Sequence, residues 1–471
     1  MSVANLLDRT ETLTARQKLV AIVGIANGTL EFFDQYVIAF VLLFILKPWH
    51  LTYGQTAVVL LSSGLGSMVG SFVWGWFADR FGRRPALLCI LLALSGSSIC
   101  LSLTPDGGWL YLAVFRAGIG FGVGGYSVVL AMVQEFMPAA KRGLVGGAIS
   151  VSAAFGLLLA SLITSLFAEA LGWRGMFLIG AVPALFSLFV FRAIPESPRW
   201  AAAKGRMLVA RRATAWTLGV EEASLPEMPD EGSVRRGGSW GELFRYRRSL
   251  VVGSLISFGI VTGYYGLFLW GPTLLVQVLG LTPKAASHLM LVAGVSGIVS
   301  RLLFSWLLER WGRRGAGFVA TAAAALAMAI AGMAASSVWP LGFGISFLVA
   351  CFFCDGCLAI SGPYTTEIWP ARLRAAGAGW TYGTAGLGKM IGPAGLALIV
   401  GSSDVLTPKA TIDAALPAFL FLGGWLLLAG VTFFFARETR GLSLEEIEEA
   451  LEREVKHAGV DSHISSLSRN G

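Results

Sequence analysis

The chain has 471 residues, 55% of them hydrophobic and 14% charged, with a formal net charge of +8. A soluble domain carries roughly 25% charged residues, so this composition calls for lipid as solvent and excludes an ordinary soluble enzyme. Lys and Arg sit in short clusters between long apolar stretches rather than on one basic face, which excludes nucleic acid as the partner that explains the positive charge.

A helix that crosses the hydrocarbon core needs about 20 apolar residues. Six segments qualify, near 19–46, 56–77, 86–104, 110–136, 143–168 and 173–192, and six more near 249–279, 285–307, 316–335, 338–366, 375–400 and 415–436. The expected fold is all-α and membrane-embedded, with twelve transmembrane helices in two six-helix bundles. Residues 1–192 form the first bundle, 193–248 a linker, 249–436 the second bundle and 437–471 a tail. The first segment is too long and too acidic for the apolar core of a cleaved signal peptide.

Charges within these segments are few, and each asks for a reason, because an ionised side chain at mid-depth costs roughly 2.5–3.5 kcal/mol on insertion scales. In the first segment Glu31 and Asp34 lie three residues apart, on one helical face. Such a pair suits proton carriage; the plainer alternative is that either acid neutralises a buried Arg or caps a broken helix. Arg116 in the fourth segment is the natural partner for Asp34 or Glu31, though its long stem would also let it snorkel outward. His50 and His288 fall at the outer-loop side, the latter at the very start of its segment, and His457 and His463 in the tail, so carboxylates must do any embedded proton work.

Between segments two and three and between four and five lie Arg80, Arg83 and Arg84, then Lys141 and Arg142. Their counterparts further on are Arg310, Arg313 and Arg314, then Arg372 and Arg374, and the intervening loops are poorer in Lys and Arg. Loops on the cytoplasmic side retain positive charge, so both termini and the linker are expected there. In the linker, Lys204 to Trp216 reads as a basic amphipathic helix and Leu225 to Gly238 as flexible chain. The tail opens at Ser443 with a capping box to Glu446 and an acidic helix to about Val455, with disorder beyond Ala458.

In the second half, Tyr264 and Tyr265 sit near the middle of segment seven, where aromatic faces with hydroxyl tips suit a flat, partly polar ligand. The alternative is aromatic packing, with Trp270 as an interfacial anchor. Asp355 in segment ten and Lys389 in segment eleven either neutralise one another or leave Lys389 to meet an anionic substrate. Arg301, near the end of segment eight, reads as a gate residue. Cys351, Cys354 and Cys357 have metal-like spacing but lie within an apolar helix without a fourth ligand, so they read as packing residues and no cofactor is expected.

The chain repeats itself. A G-x-x-x-D-R-x-G-R-R string runs from Gly75 to Arg84, and a related string from Ser305 to Arg314 follows at an offset of 230 residues (Asp79 to Glu309). Glu135, Pro138 and Arg142 recur as Glu367, Pro370 and Arg374 at an offset of 232. Two motif pairs at nearly one offset mark a duplicated six-helix unit, so the two bundles are expected to be pseudo-symmetric. The first string resembles the loop signature of the major facilitator superfamily, and the duplication covers nearly the whole chain. The resemblance implies alternating access driven by an ion gradient and a gate built from Asp79, Arg80, Arg83, Glu135, Arg142, Arg301, Glu309, Arg310, Arg313, Glu367 and Arg374. Ser305 and Glu309 depart from the pattern, where Gly and Asp are usual.

Finer likenesses point several ways. Pro195 to Trp200 and Arg437 to Gly441 look like the half-ends of the sugar-porter and organic-ion branches. Glu31-x-x-Asp34 resembles the first helix of bacterial metabolite, aromatic-acid and nicotinate proton symporters, and Gly263 to Pro272 looks like helix seven of nicotinate and related aromatic-carboxylate permeases. Arg116, Gly120 and Gly124 resemble the fourth-helix motif of the superfamily, and Gly386 to Pro393 resembles helix eleven of animal organic-ion carriers, where a basic residue serves anions. The expected function is import of a small organic anion with protons, by a monomer in a cell inner membrane. Sugar or polyol symport is the first alternative, although segment seven lacks the paired glutamines of sugar porters. Drug efflux and a non-transporting sensor follow, and no nucleotide loop or nucleophile constellation supports an enzyme.

Overall fold

The computed structural model describes residues 3–8, 12–226, 240–370, 373–401, 404–441 and 446–453. The helices in chain order are α1 (Val3–Asp8), α2 (Ala15–Ile45), α3 (Tyr53–Phe81), α4 (Arg83–Ser102), α5 (Trp109–Val123), α6 (Tyr126–Phe136), α7 (Ala139–Ser150), α8 (Ser152–Ile179) and α9 (Val182–Ala193). They continue as α10 (Pro198–Ala203), α11 (Met207–Leu218), α12 (Arg247–Leu279), α13 (Pro283–Ser336), α14 (Pro340–Glu367), α15 (Arg374–Val400) and α16 (Pro408–Phe435).

By length and hydropathy alone, 10 of the described helices can span a bilayer. The count of twelve passes returns once the bends are read. Helix α13 has 54 residues, about 80 Å at 1.5 Å per residue, far more than a hydrocarbon core of about 30 Å. It turns back at Gly312, where φ is +82°, and α8 turns in the same way at Gly172, where φ is +63°. These positive φ angles favour glycine and let one helical run serve two passes. Passes four, five and six are each assembled from pieces, with breaks at Gly124–Gly125, Val151 and Gly180–Ala181.

Helix starts follow their sequences. Thr14 with Gln17 and Thr52 with Gln55 form capping boxes, and Thr282 and Thr407 cap helices whose first turn holds Pro283 and Pro408. Large apolar side chains such as Phe72, Leu185, Leu302, Leu398 and Phe435 are exposed on the outside of the bundle, as lipid contact requires. The only strand-like contact among the described residues is one antiparallel bridge, Thr52 with Val405.

Within the first half α3 packs on α5 and α2 on α8; within the second, α13 packs on α14 and α16, and α12 on α15. The halves meet chiefly through α15 on α3, α13 on α8 and α12 on α2. Close crossings depend on glycine. A Cβ on Gly120 would collide with the Ser63 backbone, one on Gly124 would lie 2.6 Å from the Ser67 carbonyl, and one on Gly66 would strike the Ala117 carbonyl. The Arg116-Gly120-Gly124 spacing therefore presses α5 onto α3 and sets Arg116 in the interior.

In the linker, α11 matches the basic helix expected over Lys204 to Trp216, and α10 precedes it, closed by the Ser197 hydroxyl accepting from the Trp200 N–H. Most of Leu225 to Gly238, Arg372, Ser443 and the segment beyond Ala458 lie outside the described residues. Residues 446–453 are helical, and Ile447 and Leu451 are buried.

Candidate functional site

Among the described residues, six acidic and basic side chains lie buried in the central layer: Glu31 and Asp34 on α2, Arg116 on α5, Arg301 on α13, Asp355 on α14 and Lys389 on α15. The largest exposure among them is the 6% of Lys389.

On the first half, Asn27 Nδ2 donates to Glu31 Oε1 at 2.6 Å, while Glu31 Oε2 and Asn27 Oδ1 are buried without a partner. Asp34 Oδ1 accepts from Ser98 Oγ at 2.9 Å, and Gly180, at the break before α9, lies so close that any Cβ would strike both groups. The expected ion pair of Arg116 with an acid is not a direct one. Arg116 Nη1 donates to the backbone carbonyl of Asp34 at 2.8 Å and Nη2 to that of Gln35 at 3.2 Å, so it holds α2 by its main chain. Gln35 in turn donates to Ser63 Oγ at 3.0 Å.

On the second half the pairing differs from both sequence alternatives for Asp355. Its partner is Arg301, whose Nε donates to Oδ1 at 2.9 Å with Nη2 2.7 Å from the same oxygen. Gly297, one turn before Arg301, makes room for this carboxylate, since a Cβ there would lie 2.5 Å from Oδ2. Arg301 thus belongs to the central layer, eleven residues and about 16 Å ahead of the Gly312 turn, rather than to the gate at the end of its pass as the sequence suggested. Its Nη1 crosses to the other half and donates to the Ser150 carbonyl at 2.8 Å. That carbonyl is free because α7 ends there: the Ala154 N–H turns to Val151 instead.

Lys389 makes no ion pair among the described residues. Its Nζ lies 5.3 Å from the ring centres of Tyr265 and of Tyr382, within cation–π range of both. The carboxylate whose field it feels is Glu31, across the boundary between halves. Close packing of α15 on α12 positions it: Gly388 abuts the Phe258 carbonyl and Thr262, and Gly392 the Thr262 carbonyl and Gly266. Tyr264 shares a hydroxyl hydrogen bond of 2.9 Å with Tyr36 of the other half, and Tyr265 stacks on Tyr36 with ring centres 6.5 Å apart. Trp270 is not an interfacial anchor. It is 1% exposed, stacks on Tyr53 and donates to the Pro393 carbonyl at 3.1 Å.

Two ends of the molecule differ. At the end that bears the Arg-rich loops, here the basic face, each half holds its own network. Arg83 reaches Asp79 at 2.5 Å and Glu135 at 3.1 Å; Arg313 reaches Glu309 at 3.3 Å and Glu367 at 3.1 Å. Arg80 and Arg310 lie over Trp76 and Trp306, Arg142 donates to the Met137 carbonyl, and Arg374 Nε is buried without a hydrogen-bond partner. The sequence reading missed two members, Glu196 and Glu438. Glu196 Oε1 accepts from the backbone N–H groups of Arg83, Arg84 and Ser197, and Glu438 accepts from those of Arg313, Arg314, Thr439 and Arg440. Both lie in strings whose family likeness was visible, and both stand after the last helix of their half, which is the signal that would have found them.

At the opposite face the halves are stitched together. The Tyr53 N–H donates to the Asp404 carbonyl at 3.0 Å, the Leu406 N–H to the Leu51 carbonyl at 3.3 Å, and the Tyr53 and Thr411 hydroxyls meet at 2.5 Å.

Comparisons with known proteins place this arrangement. The family model described as "Sugar (and other) transporter" matches residues 20–451. The niacin transporter NiaP of Acinetobacter baylyi is 30% identical over 74% of this chain and 79% of its own length. The 4-hydroxybenzoate transporter PcaK of the same organism is 27% identical over 79% of this chain and 82% of its own, and the arabinose-proton symporter of Bacillus subtilis 27% over 75% and 79%. Among solved structures, the partially occluded inward-open xylose transporter XylE from E. coli superposes with a TM-score of 0.70, covering 91% of this chain and 100% of that one at 20% identity.

Proposed function

The chain belongs to the sugar (and other) transporter family of the major facilitator superfamily, a family of multi-pass membrane carriers rather than enzymes, and we propose that it imports a small aromatic or heteroaromatic carboxylate together with protons. The observation that carries this reading is Lys389. A buried amine between two tyrosine faces, with no ion-paired acid of its own, is a receptor for an anionic group on a flat ring. Arg301 has its acid already and Arg116 is engaged by the main-chain carbonyls of Asp34 and Gln35, so Lys389 is the cation left for substrate. The names of the niacin and 4-hydroxybenzoate relatives agree in chemical class.

Glu31 supplies the proton site, with one carboxylate oxygen held by Asn27 and the other unmatched. The substrate site lies where α2, α12 and α15 meet, and the two halves rock about it in turn. With the basic face toward the cytoplasm of an inner membrane, as the arginine loops favour, the stitched opposite face is the outer gate, closed in this structure. A monomer contains every group this cycle needs. Sugar symport is the second reading, favoured by the arabinose-proton symporter among the relatives.

Proteoliposome uptake of labelled benzoate, 4-hydroxybenzoate, nicotinate and a hexose, with and without an inward proton gradient, tests the proposal. We expect gradient-stimulated uptake of a carboxylate, and Lys389→Gln to weaken its apparent affinity by about 30-fold or more. Uptake of the hexose alone would return the chain to the sugar reading.

A further inference from the structure

The six acidic and basic side chains buried in the central layer balance when all are ionised. Glu31, Asp34 and Asp355 are three acids; Arg116, Arg301 and Lys389 are three bases. The remaining buried cation among the described residues, Arg313, belongs to the basic-face network with Glu367. A low-dielectric interior tolerates a net-neutral set of charges far better than one with a charge in excess, since the solvation cost of an uncompensated charge grows with its square.

Resting on the proposed function above, we infer that each turnover carries one proton with one monovalent anion, and that the loaded and substrate-free carriers cross the membrane with the same charge. A monoanion entering beside Lys389 takes the central layer from zero to minus one, and a single proton restores zero. A dianion with one proton leaves minus one, and a neutral sugar with one proton leaves plus one. The site therefore reads the charge of its substrate as well as its shape, and the transport cycle is electroneutral.

Glu31 is the acid that takes the proton. Asp355 is held by two nitrogens of Arg301, and Asp34 accepts from Ser98 beside Arg116. Each of the three acids keeps one oxygen without a hydrogen bond, and Glu31 differs in that Asn27 is its partner on the other and, among the described residues, no arginine grips its carboxylate or its own main chain. The titratable groups that act on it are Asp34 on its own helix, Tyr126 from α6, and Tyr382 and Lys389 from α15. Lys389 is the one cation of that set, so an anion that docks on Lys389 takes the compensating charge from Glu31, and protonation of Glu31 and anion binding become one event.

The test uses the full-length protein in proteoliposomes with whichever carboxylate probe shows gradient-stimulated uptake. The proton gradient and a valinomycin-set potassium potential are imposed separately. We expect the proton gradient to drive accumulation, the potential alone to leave it unchanged, and a substrate jump to give no current. A change in accumulation of about tenfold or more under the potential means that net charge moves, and overturns the inference while leaving symport intact. In Glu31→Gln the substrate-free layer carries plus one and the loaded layer zero. Uptake should then ignore the proton gradient and be opposed by an inside-negative potential. If that variant stays proton-driven and potential-insensitive, Glu31 is not the proton site and the inference fails; if it does not fold, the wild-type potential measurement decides. Absence of gradient-stimulated uptake for every carboxylate is a different result, and it sinks the proposed function itself.

Discussion

The two basic-face networks are near copies, yet their central acids are held in opposite ways. In each, a glycine with positive φ starts a helix, Gly82 at +123° and Gly312 at +82°, and an acid from beyond the last helix of that half caps the amides that follow. The flanking charges correspond closely: the Asp79 and Glu309 side chains are both 70% exposed, and those of Glu135 and Glu367 are 20% and 21% exposed. Burial nonetheless pushes Glu196 up from its ordinary range, against three backbone N–H groups and with Glu135 adding repulsion. Glu438 is less deeply buried, and its four backbone N–H donors outweigh that burial and hold it below the ordinary range. Depth and one extra amide set the direction in which each acid is pushed.

Breaking both copies should have the largest effect. Ala at Gly82 or Gly312 would have to adopt a backbone conformation that is nearly glycine-only, and its Cβ would strike the capping acid. We expect each substitution to cost about 2–3 kcal/mol, read as loss of thermal stability in detergent. Unequal losses would show that the halves do not lean on their turns alike.

Neutralising the acids should separate the copies. Glu438→Gln replaces a charged acceptor of four amides and should cost about 1 kcal/mol after allowance for solvent screening. Glu196→Gln should cost less, because that acid gains less from being ionised. Equal losses would remove the distinction.

The smallest and most diagnostic effect is in pH. A depressed acid contributes stability above its unfolded value, about 4.3, and loses it as pH falls through the folded value. A raised acid contributes below its unfolded value and loses that contribution as pH rises through the folded one. Acidification from pH 7 should therefore loosen the Arg313–Arg314 amides and tighten those of Arg83–Arg84, in hydrogen exchange corrected for its intrinsic pH dependence. Parallel changes at both sites would contradict the assignment.

The passes, the repeat and the central acids were legible in the sequence, because depth along a helix follows from residue number at a fixed rise. Azimuth and neighbour identity do not follow from it. Asp355 was placed at the right depth but offered to Lys389, since nothing in residue order says that α13 lies closer to it than α15 does. Arg301 was placed in the right pass but assigned to the gate near its end, because residue order does not show that Asp355 of α14 meets it there. Trp270 looked interfacial by position, yet the packing of α15 on α12 encloses it. Arg116 and the glycines after it were recognised as a unit, but that the arginine would grip main-chain carbonyls rather than a carboxylate needs three dimensions to see.

Apart from the Tyr53–Thr411 hydroxyl contact, the stitch at the opposite face is written in amides: Tyr53 to Asp404 and Leu406 to Leu51. Every residue but proline carries that donor and acceptor, so the clasp is nearly blind to side-chain identity and to ionic strength. An alanine scan would register the Tyr53–Thr411 hydroxyl contact but pass over the amide pairs, and relatives could replace the residues that carry those pairs while keeping them. Sequence drift in these two loops is therefore poor evidence that the lock has been lost.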